Sequence, residues 1–291
     1  MTRRRLHQKF LSCDVAEYDR RVRQARDWIV GQRLWQPQVA LILGSGLGCL
    51  AESIEHATKI PYQEIPYFPT THANGHAGNL ILGYLAGLPV VAMQGRGHRY
   101  EGLSNPQVRF PIHCLHALGA QTLIATNAAG GLNARYRAGD LMVLDSHLDF
   151  LWARGQWAAD IPAHRRAPPR TPPYDWELLA RAHTVARRHN QVLHQGCYLA
   201  TLGPTYETRS EYRVFRQWGA DAVGMSTVPE VLAAQALGMR VLAFSVITNV
   251  ASTDIPRSTT HAEVVESGGA AGPRLLAIIH DLLQDMAGQP D

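Results

Sequence analysis

The chain has 291 residues, 46% hydrophobic and 18% charged, with 25 glycines and 17 prolines. That balance belongs to an ordinary α/β globular chain and excludes the disordered, collagenous and coiled-coil classes. A formal net charge of +4 suits phosphate-bearing or acidic ligands. Outside Arg3-Arg4-Arg5 and Arg165-Arg166 the basic residues are scattered, without the basic and aromatic interleaving of a nucleic-acid-binding face, so no nucleic-acid partner is expected.

Between residues 13 and 36, Val22, Ala25 and Ile29 recur at steps of three and four, which predicts an amphipathic packing helix. Residues 39–43 form a continuous apolar run ending at Gly44, short enough for a buried strand. Runs 80–85 and 88–93, separated by Ala86-Gly87, read as a β-hairpin, so the sheet is not purely parallel. Further strands are expected at 122–126, 141–144, 196–201, 221–224 and 240–248, with helical stretches between several of them, an α/β alternation.

The best-marked unit runs from 207 to 249: a helix to about 218, a strand from 220, a helix from 228 and a strand from 240. Thr227-Val228-Pro229-Glu230 predicts a capping box, with Thr227 accepting a backbone N–H and Glu230 reaching back. Gly238 is expected to close that helix. Residues 162–173, proline-rich and basic, read as a surface loop, and no internal repeat is visible. One domain over 1–291 is expected, an N-terminal helical segment (1–37) preceding the core (38–291).

Cys13, Cys49, Cys114 and Cys197 lie far apart with no C-x-x-C pair, which argues against a zinc ribbon or a disulfide framework and for reduced thiols. The basic start lacks an apolar signal region, and no stretch of 18 apolar residues occurs, so a soluble cytoplasmic protein without a membrane partner is expected.

Glycine clusters follow three candidate strands: Gly44-Ser45-Gly46-Leu47-Gly48, Gly95-Arg96-Gly97-His98 and Asn127-Ala128-Ala129-Gly130-Gly131. Such turns expose N–H groups that form anion nests, which makes phosphate the first ligand to consider. The first cluster is G-x-G-x-G, neither a dinucleotide fingerprint nor a P-loop. Arg96 offers a planar fork for two phosphate oxygens, His98 a donor or proton near neutral pH, and Ser45 a hydroxyl. Ser226 stands at a strand end before the helix that Thr227 is expected to cap, which leaves its hydroxyl for a ligand. His113 and His116 lack metal spacing, and Asp145, His147 and Asp149 could ligate a metal but fit a strand-end network as well, so no metal is assigned. No G-x-S-x-G elbow occurs.

Taken together, LILGSGLG (41–48), GHAGNL (75–80), GRGHRYEG (95–102), TNAAGGLN (126–133), GPTYET (203–208), GADAVGMSTVPEV (219–231) and ITN (247–249) resemble the trimeric purine nucleoside phosphorylases, in that family's order, across about 38–262. The resemblance implies a single α/β domain with a central mixed, partly barrel-like β-sheet flanked by helices, and a homotrimer. It implies cleavage of the N-glycosidic bond of purine nucleosides by inorganic phosphate, a co-substrate, with no metal or organic cofactor. By motif position Ser45, His76, Arg96, His98, the Ala128 N–H and Ser226 would surround phosphate. Tyr100, Met225 and His261 would meet the ribose, and Tyr206, Glu207 and Asn249 the purine, with His98, Glu207 and Asn249 the catalytic set.

Asn249 can donate to N7 and a 6-oxo group, whereas related methylthioadenosine phosphorylases carry aspartate there, so inosine and guanosine are favoured. Methylthioadenosine or xanthosine as substrate, and a non-catalytic nucleoside-binding protein, are the alternatives. Three departures stand out: Tyr206 where some members have phenylalanine, Asp145-Ser146-His147-Leu148-Asp149 in place of a D-H-I-N wording, and Gly268-Gly269-Ala270-Ala271-Gly272-Pro273, a run expected to interrupt a helix.

Overall fold

The computed structural model describes residues 15–71, 73, 75–151, 172–250 and 261–288, with Cys49, His261 and Ala262 by backbone alone. Helix α1 (Val15–Gln32) buries Tyr18, Val22, Ala25 and Ile29, the stripe its spacing predicts. Strand β1 (Val39–Leu43) is buried throughout and runs parallel between β4 (Leu88–Gln94) and β5 (Thr122–Gly131). β3 (Asn79–Leu85) joins β4 as an antiparallel hairpin. Ala86 and Gly87 take φ of 52° and 79°, the two positive values a type I′ turn requires.

Outside β3 lies β2 (Glu55–Pro61), an edge strand that hydrophobic patterning does not reveal, because most of its residues are polar and exposed. Beyond β5 come β6 (Leu141–Asp149), β7 (Leu193–Ala200), β8 (Ala222–Gly224) and β9 (Arg240–Val250). The order is β2-β3-β4-β1-β5-β8-β7-β6-β9, and β5 also pairs with β9. Strands β5, β8, β7, β6 and β9 therefore close a ring, while β1 to β4 extend from it as an open wing. This is the mixed, partly barrel-like sheet of a single α/β domain.

Helices α2 (Asn105–Ala117), α3 (Trp176–Arg188), α4 (Arg209–Gln217), α5 (Val228–Ala236) and α6 (His261–Ala287) flank the sheet. The two-residue period of β1 sends Ala40 and Ile42 into a core with Ile29 of α1, Phe110 of α2 and Val231 of α5. It sends Val39, Leu41 and Leu43 into another with Leu178 of α3 and Leu275 and Ile279 of α6. Both faces of the sheet are thus sealed, which confines ligand access to strand ends.

Three local expectations are corrected. Helix α6 runs unbroken through Gly268 and Pro273: Ala271, Leu275, Ile278, Ile279, Leu282 and Leu283 are 0% exposed, and burial worth ~1.5–3 kcal/mol per large side chain offsets proline's ~3 kcal/mol. The third glycine cluster is part of β5 rather than a turn, bulged between Ala129 and Gly130 where it pairs with β9. A Cβ on Gly131 would sit 2.8 Å from the Ile247 side chain, so this glycine serves close strand packing. Thr227 does not cap α5 with its side chain; it has φ +70°, a conformation costly for a β-branched residue, and its hydroxyl is engaged elsewhere. Of the proline-rich loop expected at 162–173, residues 162–171 lie outside the described residues.

Candidate active site

Strands β1, β4 and β5 are parallel, so their carboxyl ends deliver Ser45, Arg96 and His98, and Ala128 to one place. Crevices at such strand ends are where α/β sheets bind ligands. β5 pairs with β1 only as far as Ala125 and with β8 only from Gly130, which leaves one edge of residues 126–129 without a strand neighbour. A cavity opens there. Ser45, His76, Arg96, His98, Tyr100, Ala128, Tyr206, Glu207, Met225, Ser226 and Asn249 all line it. Of the predicted set only His261 is not placed: its backbone begins α6, and its side chain lies outside the described residues.

Gly95, at φ +97°, turns the chain after β4 over His76, whose Cβ lies 2.6 Å and ring Cγ 2.9 Å from where a Cβ would be. That contact seats His76 with Nδ1 3.1 Å from the Arg96 N–H and 2.9 Å from the Arg96 carbonyl, and with Nε2 3.0 Å from the Ser45 hydroxyl. Burial, then the nearby His98, lowers the His76 pKa to about 4, so the ring is neutral at neutral pH. The rings of His76, His98 and Tyr100 stack in series, 5.1 and 4.6 Å between centroids. Glu101 accepts from the His98 backbone N–H at 2.8 Å and lies 2.9 Å from its Nδ1, which turns Nε2 into the ring's remaining polar atom.

The Arg96 guanidinium is 1% exposed and is more engaged by protein than the sequence suggests. Its Nη1 donates to Glu230 at 2.9 Å, Thr227 at 2.8 Å and Ser226 at 3.3 Å, and its Nη2 to the Thr126 carbonyl. Nε has no partner among the described residues, and Nη2 has one acceptor for two hydrogens. Two of its N–H groups are therefore left for a ligand. Burial raises the Glu230 pKa, while the charges of Arg96 and His98 and the Thr227 N–H hold it down. Half of the expected capping box thus survives: Glu230 reaches back to Thr227, but the Thr227 hydroxyl takes Arg96 and the Asn127 amide (3.0 Å). The Ser226 N–H donates to the buried Tyr198 hydroxyl at 3.4 Å.

Farther along the cavity wall, Glu207 accepts from the Thr201 hydroxyl at 2.9 Å. Burial pushes its pKa up, with that hydrogen bond acting in the opposite sense. The Thr248 hydroxyl donates to Asn249 Oδ1 at 3.2 Å, which leaves the Asn249 NH₂ as a donor. Tyr206 is 42% exposed. Glu101, Thr201, Tyr212 and Glu230 were missed as site residues. Glu101 and Glu230 carried a local signal, each the acidic residue of a capping-box spacing, at His98 and at Thr227.

The Asp145–Asp149 stretch is a hydrogen-bonded network: Asp145 accepts from Ser146 (2.6 Å) and Gln195 (2.9 Å), and His147 Nδ1 lies 3.0 Å from the Tyr174 hydroxyl. Asp149 accepts the Leu151 N–H at 3.0 Å. His113 is buried on α2 and packs edge-on against Tyr18.

Residues 38–284 match the phosphorylase superfamily. Purine nucleoside phosphorylase 1 of Bacillus subtilis is 46% identical over 249 residues, 84% of this chain and 91% of that protein. The purine nucleoside phosphorylase of Rattus norvegicus is 40% identical over 89% of this chain and 93% of its own length. The crystal structure of Schistosoma mansoni purine nucleoside phosphorylase in complex with adenosine superimposes with a TM-score of 0.84 at 35% identity, covering 93% of this chain and 97% of that one. No helix among the described residues is long and apolar enough to cross a membrane. The chain belongs to the phosphorylase superfamily, in its branch of trimeric-type purine nucleoside phosphorylases.

Proposed function

We propose that this cavity holds inorganic phosphate beside a 6-oxopurine nucleoside and exchanges one for the other at the sugar C1′. Phosphate would take the Ser45 and Ser226 hydroxyls, the Ala128 N–H, the free Arg96 donors and His98 Nε2, with His76 beside them. The ribose would lie along Tyr100 and Met225, with His261 near the 5′-hydroxyl, and the purine against Tyr206, Glu207 and Asn249. A phosphate oxygen forms a bond to C1′ as the C1′–N9 bond breaks, giving free base and ribose 1-phosphate or its deoxy counterpart.

The bonding pair passes to the purine, so the base gains negative charge while the sugar becomes oxocarbenium-like. The Asn249 NH₂ donates to N7 and the 6-oxo group, and the ionised Glu207 accepts from N1–H. Both contacts strengthen as charge moves onto the ring, which is transition-state rather than ground-state binding. The observation that carries this reading is that the phosphate-type donors and the Glu207–Asn249 pair line one cavity. A crystal soaked with phosphate and hypoxanthine tests it. Phosphate at Ser45, His98 and Ser226 with the base at Glu207 and Asn249 supports it; both ligands outside this cavity would refute it.

Adenosine or methylthioadenosine as substrate is a second reading, favoured by the adenosine complex of the Schistosoma mansoni relative. Asn249 opposes it, because its NH₂ would face a 6-amino donor. The homotrimer, the cytoplasmic location and the absence of a metal or organic cofactor are proposed on family resemblance.

A further inference from the structure

Thr227 is held in an unfavourable backbone conformation. With φ +70° and ψ −51°, and with the Val228 N–H donating to the Ser226 carbonyl at 2.8 Å, it is the central residue of a γ-turn of the rare, strained hand. A branched Cβ adds to the cost, and strain of this kind collects where a site needs a group held in place. Here the group is one fully buried hydroxyl.

Three polar atoms surround Thr227 Oγ1. Arg96 Nη1 donates to it at 2.8 Å and Asn127 Nδ2 at 3.0 Å, and Ser226 Oγ lies 3.3 Å away. The Asn127 amide is itself oriented by the buried Ser245 hydroxyl, which donates to Asn127 Oδ1 at 2.8 Å. A hydroxyl has two lone pairs and one hydrogen. Arg96 and Asn127 fill both lone pairs of Thr227, so within this group its hydrogen goes to Ser226. Ser226 Oγ then accepts from Thr227 and, at 3.3 Å, from Arg96 Nη1. With both lone pairs facing donors, Ser226 has its hydrogen, and not a lone pair, to offer the cavity that it lines.

We propose that Ser245, Asn127 and Thr227 form a hydrogen-bond relay of one sense that fixes Ser226 as a donor to phosphate, which makes the three of them positioning residues. This rests on the functional reading above. An unprotonated phosphate oxygen is the partner such a hydroxyl selects, and a ligand presenting a donor there meets no acceptor. Successive hydrogen bonds of one sense polarise one another, so the relay also strengthens Ser226 as a donor. Thr227 and Ser245 are both 0% exposed, so they reach phosphate only through their neighbours.

Calorimetric titration of inorganic phosphate into the full chain tests the relay. Thr227→Val keeps the branched shape and removes the hydroxyl; phosphate should bind about tenfold more weakly, the loss of one hydrogen bond to a charged group. Thr227→Ser keeps the hydroxyl and should restore wild-type affinity. Ser245→Ala, the gentlest and most remote change, should cost about threefold, and nothing further in a Ser226→Ala background. The inosine KM at saturating phosphate should stay at the wild-type value in Thr227→Val and Ser245→Ala.

Wild-type phosphate affinity in Thr227→Val, equal losses in Thr227→Val and Thr227→Ser, or a Ser245→Ala loss that persists undiminished in the Ser226→Ala background would overturn the relay and leave the functional reading standing. A wild-type chain that binds no phosphate would overturn both. If Thr227→Val does not fold, Ser245→Ala and its double variant decide the matter by themselves.

Discussion

Two adjacent glycines in α6 should respond in opposite directions to the same added methyl group. Gly268 is buried, and a Cβ there would lie 2.9 Å from the Ser45 carbonyl oxygen and 3.3 Å from Gly46 Cα. Gly269 is exposed, with only the Gly46 carbonyl oxygen nearby at 3.8 Å. Alanine in a helix interior is favoured over glycine by ~1 kcal/mol. Gly269→Ala collects that gain and should stabilise the protein by about 1 kcal/mol, a rise of about 2 °C in Tm. Gly268→Ala meets backbone that cannot swing aside, and overpacking of ~1–3 kcal/mol cancels or exceeds the gain. Because the obstruction is the Ser45 carbonyl, Gly268→Ala should also raise the phosphate KM, while Gly269→Ala should leave it alone. Denaturant unfolding and phosphate titration of the two purified variants decide the matter. Equal stabilisation by both, with equal phosphate KM, would refute the packing of α6 on the 44–48 loop as the reason for Gly268.

Arg96→Ala should raise the phosphate KM far more than the inosine KM, measured by varying each substrate at saturating levels of the other; an unaltered phosphate KM contradicts the assignment. Asn249→Asp should shift the inosine-to-adenosine kcat/KM ratio toward the 6-amino nucleoside, and an unchanged ratio would remove Asn249 from the specificity argument. His76 has a folded pKa depressed to about 4 from 6.5. Its stabilising contribution is complete above pH 6.5 and is lost as pH falls through about 4, ~3 kcal/mol in all. Urea unfolding of His76→Gln should therefore show a shallower loss of stability across that window than the wild type; parallel curves would count against it.

Local signals were readable along the chain, and contacts across it were not. Ala86-Gly87 between two apolar runs announced the hairpin, because only a few turn types reverse a chain in two residues. The 39–43 run announced the central strand. In contrast, β2 has no apolar face to betray it, and α6 contains a proline and three glycines that local propensity reads as a break. Its continuity comes from the buried Leu275, Ile278, Leu282 face, a tertiary effect. At the site, Ser45, Arg96 and Asn249 stood in recognisable motifs. Glu230 stood in a motif too, but its role at the site was hidden, because its partner is fixed by folding: Arg96 lies 134 residues away. The strained Thr227 was read as an ordinary cap because its alternative partners, Arg96 and Asn127, arrive from other strands.

The central claim is that phosphate and a purine nucleoside meet in one cavity and react there. Incubating the purified chain with inosine, with and without orthophosphate, and measuring hypoxanthine and ribose 1-phosphate tests it most directly. Equimolar release of both, only when phosphate is present, is the predicted result. Free ribose released without phosphate, or no release from inosine, guanosine or adenosine under either condition, would contradict it.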